Sequence, residues 1–174
     1  MWIALGRMLF AGLRIWLGWQ WLGAGLHKVG APAWTGEMAG TAVAGFAKGA
    51  LAKAVGESAA VPGWYAMFLE RWVIPHAPLF GHLVAYGELL VGIGLILGAF
   101  TGFAAIAGAW MNVNFMLAGA AGTNPILFAA AAAILAGLSL AQHYGIDAYL
   151  RPRVEGAARV GIHRLRLAWA KASS

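Results

Sequence analysis

The sequence predicts an all-α fold, an integral membrane four-helix bundle with an outer amphipathic helical segment between the first and second spans. Three observations carry the prediction. Of the 174 residues, 61% are hydrophobic and only 10% charged, with a mean hydropathy of +0.73, far from a soluble domain. Four apolar runs, about 6–29, 79–99, 102–120 and 125–144, match the roughly 20 residues that cross a hydrocarbon core of about 30 Å. After the fourth run, Arg151, Arg153, Arg159, Arg164, Arg166 and Lys171 face only Asp147 and Glu155. By the positive-inside rule this basic tail is cytoplasmic. An even number of spans returns the N-terminus, with Arg7, to the same side and leaves 30–78 outside. The expected location is the plasma membrane, multi-pass, with both termini cytoplasmic. One four-span domain over 1–150 then precedes a basic amphipathic tail over 151–174.

Composition also removes whole classes of function. Cysteine is absent, which excludes disulfides, thiolate-bound iron–sulfur clusters and thiol chemistry by this chain. A redox role therefore needs a bound cofactor, a substrate or a partner subunit. The net charge of +6 is not spread as a nucleic-acid footprint requires, so nucleic acid is not expected as a partner.

In the first span, LFAGLRIWLGWQWLGAGLHKV, Arg14 breaks the apolar centre and the run exceeds the usual 7–15 residues of a signal h-region, so it reads as a retained helix. Arg7, Arg14, Trp21 and Lys28 recur every seven residues and drift slowly around one side, with Gly18 and Gly25 between them. Gln20 and His27 lie on a second face. In the outer segment, Val43, Ala47, Leu51 and Ala54 fall at helical spacing over 42–55. PGWYAMFLERWVIPHAP follows, with Trp64, Phe68 and Trp72 every fourth residue before Pro75. Such an aromatic helix lies in the membrane interface or caps the bundle. Only about 99–102 separates spans two and three, which predicts an antiparallel hairpin. Span four opens with Asn124 as N-cap and Pro125 at the first helical position. In the tail, Val154, Ala158, Ile162, Leu165 and Trp169 form an apolar stripe, as on a helix at the inner leaflet.

Glu88 sits inside the apolar run AYGELLVGIGLILGAF, where a carboxylate without a partner is costly. Ala85, Glu88 and Gly92 share one small, polar face that should point into the bundle. The sequence offers Arg14 as the ion-pair partner, with Gln20 bonded to the same carboxylate. Two readings stay open: a buried pair that fixes packing, or a pocket that binds a quinone carbonyl, an oxyanion or a proton. His27, His76 and His82 map near the outer surface, where two histidines at one level could ligate haem. No spacing supports haem or another metal, and interfacial hydrogen bonding is the commoner role of a histidine at a helix end. Trp21 and Trp110 lie deep enough to stack on a flat ring. Asn112 and Asn114 point about 200° apart, so at most one faces a shared pocket.

With these residues in view, the chain resembles the DoxX-like family of four-helix membrane proteins, which includes DoxD, the membrane subunit of thiosulfate:quinone oxidoreductase. The resemblance rests on LRIWLGWQWLGAGLHKV, on FLERWVIPHAPLFGHLVAYGELLVGIGLILG and on AWMNVNFMLAGAAGTNP. Its most characteristic element is the pair Gly87 and Glu88 with the glycines that follow. It implies contact with membrane quinone and, in some members, oxidation of a small sulfur compound. On this reading Glu88 and Arg14 are the catalytic candidates, and Gln20, Trp21, His27, Trp110 and Asn114 bind the cofactor. The expected partners are membrane lipid, a second subunit or redox protein, and in a homo-oligomer another copy of the chain. The competing readings are a non-catalytic membrane scaffold or partner subunit, and a small transporter. The transporter is less attractive, because no inverted repeat or broken central helix is visible.

Overall fold

The computed structural model describes residues 1–150; the tail expected as an inner-leaflet helix lies outside the described residues. Helix α1 runs unbroken over Trp2–Val29 and stops just before Gly30 and Pro32. Three short helices follow, α2 (Pro32–Thr35), α3 (Thr41–Ala52) and α4 (Gly63–Phe68), the last continued by a π-helical turn over Leu69–Val73. Helix α5 (Ala77–Leu97) has Pro78 in its first turn and ends at Gly98, whose φ of 64° is open to glycine at little cost. Helices α6 (Thr101–Leu117), α7 (Asn124–Ala136) and α8 (Leu138–Ala141) complete the described chain.

Helices α1, α5, α6 and α7 pack in a ring, each against the next. They enclose one core of Leu17, Trp21, Val91, Leu95, Ala105, Ala131 and Ile134. Small residues set the spacing. A Cβ on Gly25 would fall 2.4 Å from the backbone nitrogen of Leu89, and one on Gly92 would fall 2.4 Å from that of Leu22. Helices α1 and α5 therefore touch backbone to backbone and run antiparallel. Large apolar side chains, among them Leu9, Trp16, Leu90, Phe103, Ile106 and Ile126, point away from the core and are exposed. Water-soluble monomers rarely expose so many large apolar side chains.

The four-span expectation is met in part. Among the described residues one helix, Ala77–Leu97, is long and apolar enough to cross a membrane. Helix α1 has 28 residues but carries Arg7, Arg14, Gln20 and Lys28, while α6 and α7 have 17 and 13, short of the usual 20 or so. The fourth run breaks at Gly137, where a Cβ would lie 2.1 Å from the ring of Phe10. Phe10 occupies the space a side chain would need, and the chain resumes as α8. The N-cap of α7 is Thr123 rather than Asn124, whose amide instead donates to the Ala120 carbonyl at 2.7 Å.

The segment between α1 and α5 forms a cap over one end of the ring. Val43, Ala47 and Ala50 of α3 pack against Val61, Tyr65, Leu69 and Val73 in a second core. The sequence offered the stripe of Trp64, Phe68 and Trp72. The chain buries the adjacent stripe and leaves Trp64 and Trp72 61% and 62% exposed. Both stripes repeat every four residues, so periodicity cannot choose between them; the narrower side chains fit against α3, and the indoles take the surface.

Candidate functional site

A cavity of about 780 Å³ lies where the cap meets the ring, within the usual range for small-molecule sites. Its walls are mostly apolar, with aromatic rings from Trp34, Phe46, Phe68, Phe80, Trp110 and Phe115 among them. Polar groups enter from every side: Gln20, Trp21 and Lys28 on α1, Glu88 on α5, Asn114 on α6, Tyr65 from the cap, and Thr123 and Asn124 at the start of α7.

The central feature is an ion pair. Lys28 Nζ donates to Glu88 Oε2 at 2.5 Å, with the lysine side chain 18% exposed and the carboxylate 2%. The same ammonium stands 5.1 Å from the centroid of the Trp34 ring, in cation–π range. Glycine contacts dictate this pairing. Because Gly25 meets the backbone of Glu88 and Leu89, Lys28, one turn beyond Gly25, comes level with the carboxylate.

The expected pair of Arg14 with Glu88 is not formed. In the observed register Arg14 stands beside Gly98, ten positions after Glu88, or about 15 Å along the helix. There Arg14 is buried and donates from Nη2 to the Tyr144 carbonyl at 2.9 Å. The carboxylate whose charge acts on Arg14 is Asp147, which accepts from the backbone N–H groups of Phe100 and Thr101, each at 2.8 Å. Asp147 thus supplies the anion at the start of α6 from far along the chain. Arg14 belongs to this structural cluster at the end of the ring opposite the cap.

The remaining candidates separate clearly. Gln20 and Trp110 line the cavity from exposed positions, and the Glu88 hydrogen bond goes to Lys28 rather than Gln20. Trp21 is a buried wall residue. Asn114 lines the cavity, and its Oδ1 and backbone carbonyl accept from the Tyr65 hydroxyl at 3.2 and 3.0 Å. Asn112 lies buried outside the lining, as the angular argument required. His27 is exposed and outside the lining. His76 and His82 each bond a carbonyl of their own helical segment, Trp72 at 2.9 Å and Pro78 at 2.8 Å. Sequence reasoning missed Lys28 and Tyr65 as site residues. The heptad of Trp21 and Lys28 was the available signal for the first; Tyr65 had none. Burial pushes the Tyr65 hydroxyl up to about 12, which keeps it a neutral donor to Asn114.

The fold and the site together describe an all-helical chain with exposed apolar helix faces, a buried ion pair and an apolar cavity at its capped end. The family model described as TQO small subunit DoxD matches residues 9–166, and the chain belongs to this family of membrane proteins. Comparison with curated proteins and with solved structures found no match.

Proposed function

We propose that the protein is a membrane redox subunit whose capped cavity receives the head group of a membrane quinone, the acceptor for electrons from a small reductant such as thiosulfate. The supporting observation is the buried Lys28–Glu88 pair in the wall of a cavity lined in part by aromatic rings. Flat aromatic walls suit a conjugated ring, and the indole N–H of Trp21, buried without a partner among the described residues, suits an oxygen acceptor. When bound, quinone supplies a two-electron, two-proton acceptor. Lys28 would stabilise negative charge as it develops on a head-group oxygen. Glu88 would hold the ammonium in place and exchange protons with the ligand through it. Lys28 is the partly exposed member of the pair, so it is also the link to water at the capped end. The proposed topology has four spans, with both termini cytoplasmic and the cap outside.

A second reading is a non-catalytic subunit that docks a partner. The word subunit in the family description favours it, as do the exposed Trp64 and Trp72 on the cap. The test uses purified protein and membranes with matched amounts of wild type and Glu88→Gln. Quinone in the lipid extract of the wild type, and quinone reduction by thiosulfate that falls at least tenfold in Glu88→Gln, support the redox reading. No copurifying quinone and equal activities would leave the docking reading ahead.

A further inference from the structure

The residues at the edge of the cavity divide by chemistry. Five of its lining residues are exposed: Gln20 on α1 and Thr123 at the start of α7 are polar, whereas Phe46 of α3, Leu83 of α5 and Trp110 of α6 are large and apolar. The apolar three belong to the seam between α5 and α6, which Phe46 joins by standing edge-on to Phe115 of α6. Away from the cap this seam is tight. A Cβ on Gly94 would lie 3.3 Å from the Ala104 Cβ, and one on Gly87 would lie 3.5 Å from the Met111 sulfur. One turn nearer the cap, at Leu83, the two helices line the cavity instead. Cap side chains stand against both: Phe68 lies 6.3 Å from Phe80 on α5, and Phe46 lies 6.2 Å from Phe115 on α6, centroid to centroid. Two hydrogen bonds hold the cap down on α6 and the turn after it, Tyr65 to Asn114 and Lys53 to the Gly119 carbonyl. The cap therefore covers the end of the seam, while Leu83 and Trp110 on its flank stay 58% and 69% exposed.

We propose that this flank is a lateral portal to the bilayer, and that the cavity takes a quinone bearing an apolar chain, its ring inside and its chain leaving between Leu83 and Trp110; the inference rests on the quinone reading. An apolar chain has no group to satisfy a polar rim, and laying it across Gln20 or Thr123 would strip water from an amide or a hydroxyl. The rim at Leu83 and Trp110 carries no such cost. It also leads outward along apolar side chains, since Tyr86 and Leu90 on α5 and Phe103 and Ile106 on α6 are exposed. Lys28 then keeps the aqueous side of the cavity and the seam keeps the lipid side. Because lipid is as apolar as the seam, the chain gains little by lying there. The portal acts by shape: it admits a ring that trails a chain.

Leu83→Trp narrows the portal without touching the Lys28–Glu88 pair, and Leu90→Trp makes the same change on α5 at an exposed position outside the lining. The full chain in nanodiscs is titrated with decylubiquinone and with the same dimethoxy-methyl benzoquinone ring lacking the chain. The expected result for Leu83→Trp is binding of decylubiquinone weaker by about tenfold, the scale of a steric clash in a packed site, with binding of the chainless ring unchanged. Leu90→Trp should alter neither. Should Leu83→Trp fail to fold, Leu83→Phe decides by the same comparison. Equal loss for both probes, no loss for either, or the same loss in Leu90→Trp would overturn the portal while leaving the quinone reading intact. A wild type that binds neither probe would overturn both.

Discussion

Breaking the Lys28–Glu88 pair from either side should have unequal consequences. At 2.5 Å and an effective dielectric of about 20, the attraction is about 6–7 kcal/mol. Desolvating two ions costs several kcal/mol each, so the intact pair roughly breaks even. The single variants do not. Lys28→Met leaves a carboxylate that is 2% exposed facing apolar walls, and should destabilise by about 3–5 kcal/mol. Glu88→Gln leaves an ammonium that is 18% exposed and keeps the Trp34 ring, worth about 0.5–1 kcal/mol; its cost should be about 1–2 kcal/mol. The double variant removes both charges and should fall well below the sum, with a coupling of about 2 kcal/mol or more. Thermal melting in detergent measures this, at about 2–4 °C per kcal/mol for a chain of this size. Lys28→Met should therefore lower the midpoint by roughly 10 °C. Additive single effects, or Glu88→Gln costing as much as Lys28→Met, would refute the reasoning.

Gly92→Ala sets a methyl 2.4 Å from the Leu22 backbone nitrogen and should destabilise by about 1–3 kcal/mol; Gly12→Ala, with nothing within 4 Å, should be neutral or stabilising in the same melt. Ultraviolet titration should show one of the four tyrosines ionising near 12, the value to which burial pushes Tyr65, and Tyr65→Phe should remove that step. A raised Tyr65 stabilises the fold fully below the free value near 10, and this contribution is lost as pH rises toward about 12. A plateau of stability through that window would contradict the assignment. The chain has no cysteine, so Ser58→Cys and Tyr149→Cys, both at exposed positions, should label with an impermeant maleimide from opposite sides of sealed vesicles. Labelling of both from one side would refute the four-span topology.

What the sequence made legible follows the range of each interaction. Hairpin α5–α6, the helical outer segment and the inward face of Glu88 are set by spacing within one helix or by a connection of a few residues. The partner of Glu88 is not. Helices α1 and α5 are joined by a long segment, 30–76, which fixes no register, and a helix can slide by turns without changing its apolar face. The register comes from the close approaches at Gly18, Gly25 and Gly92. The fourth run misled for a similar reason: its hydropathy continues through Gly137, and the interruption comes from Phe10, a residue far away in sequence.

The register also divides the charges packed into the ring into two sets with different work. Arg14, Tyr144 and Asp147 lie at the end away from the cap, where the carboxylate holds the start of α6 and the guanidinium holds the chain beyond α8. Lys28 and Glu88 lie at the cavity. Between the two sets stand Leu17, Leu95, Ala105, Ala131 and Ile134, each with 0% exposure. A close-packed apolar layer of this kind admits no chain of polar groups. On the proposed redox reading, proton exchange at the cavity would run through the capped end, where Lys28 is the partly exposed charge. Arg14 can be essential to folding and still have no part in chemistry at the cavity, whereas Lys28 cannot be altered without changing the charge that a ligand there would meet.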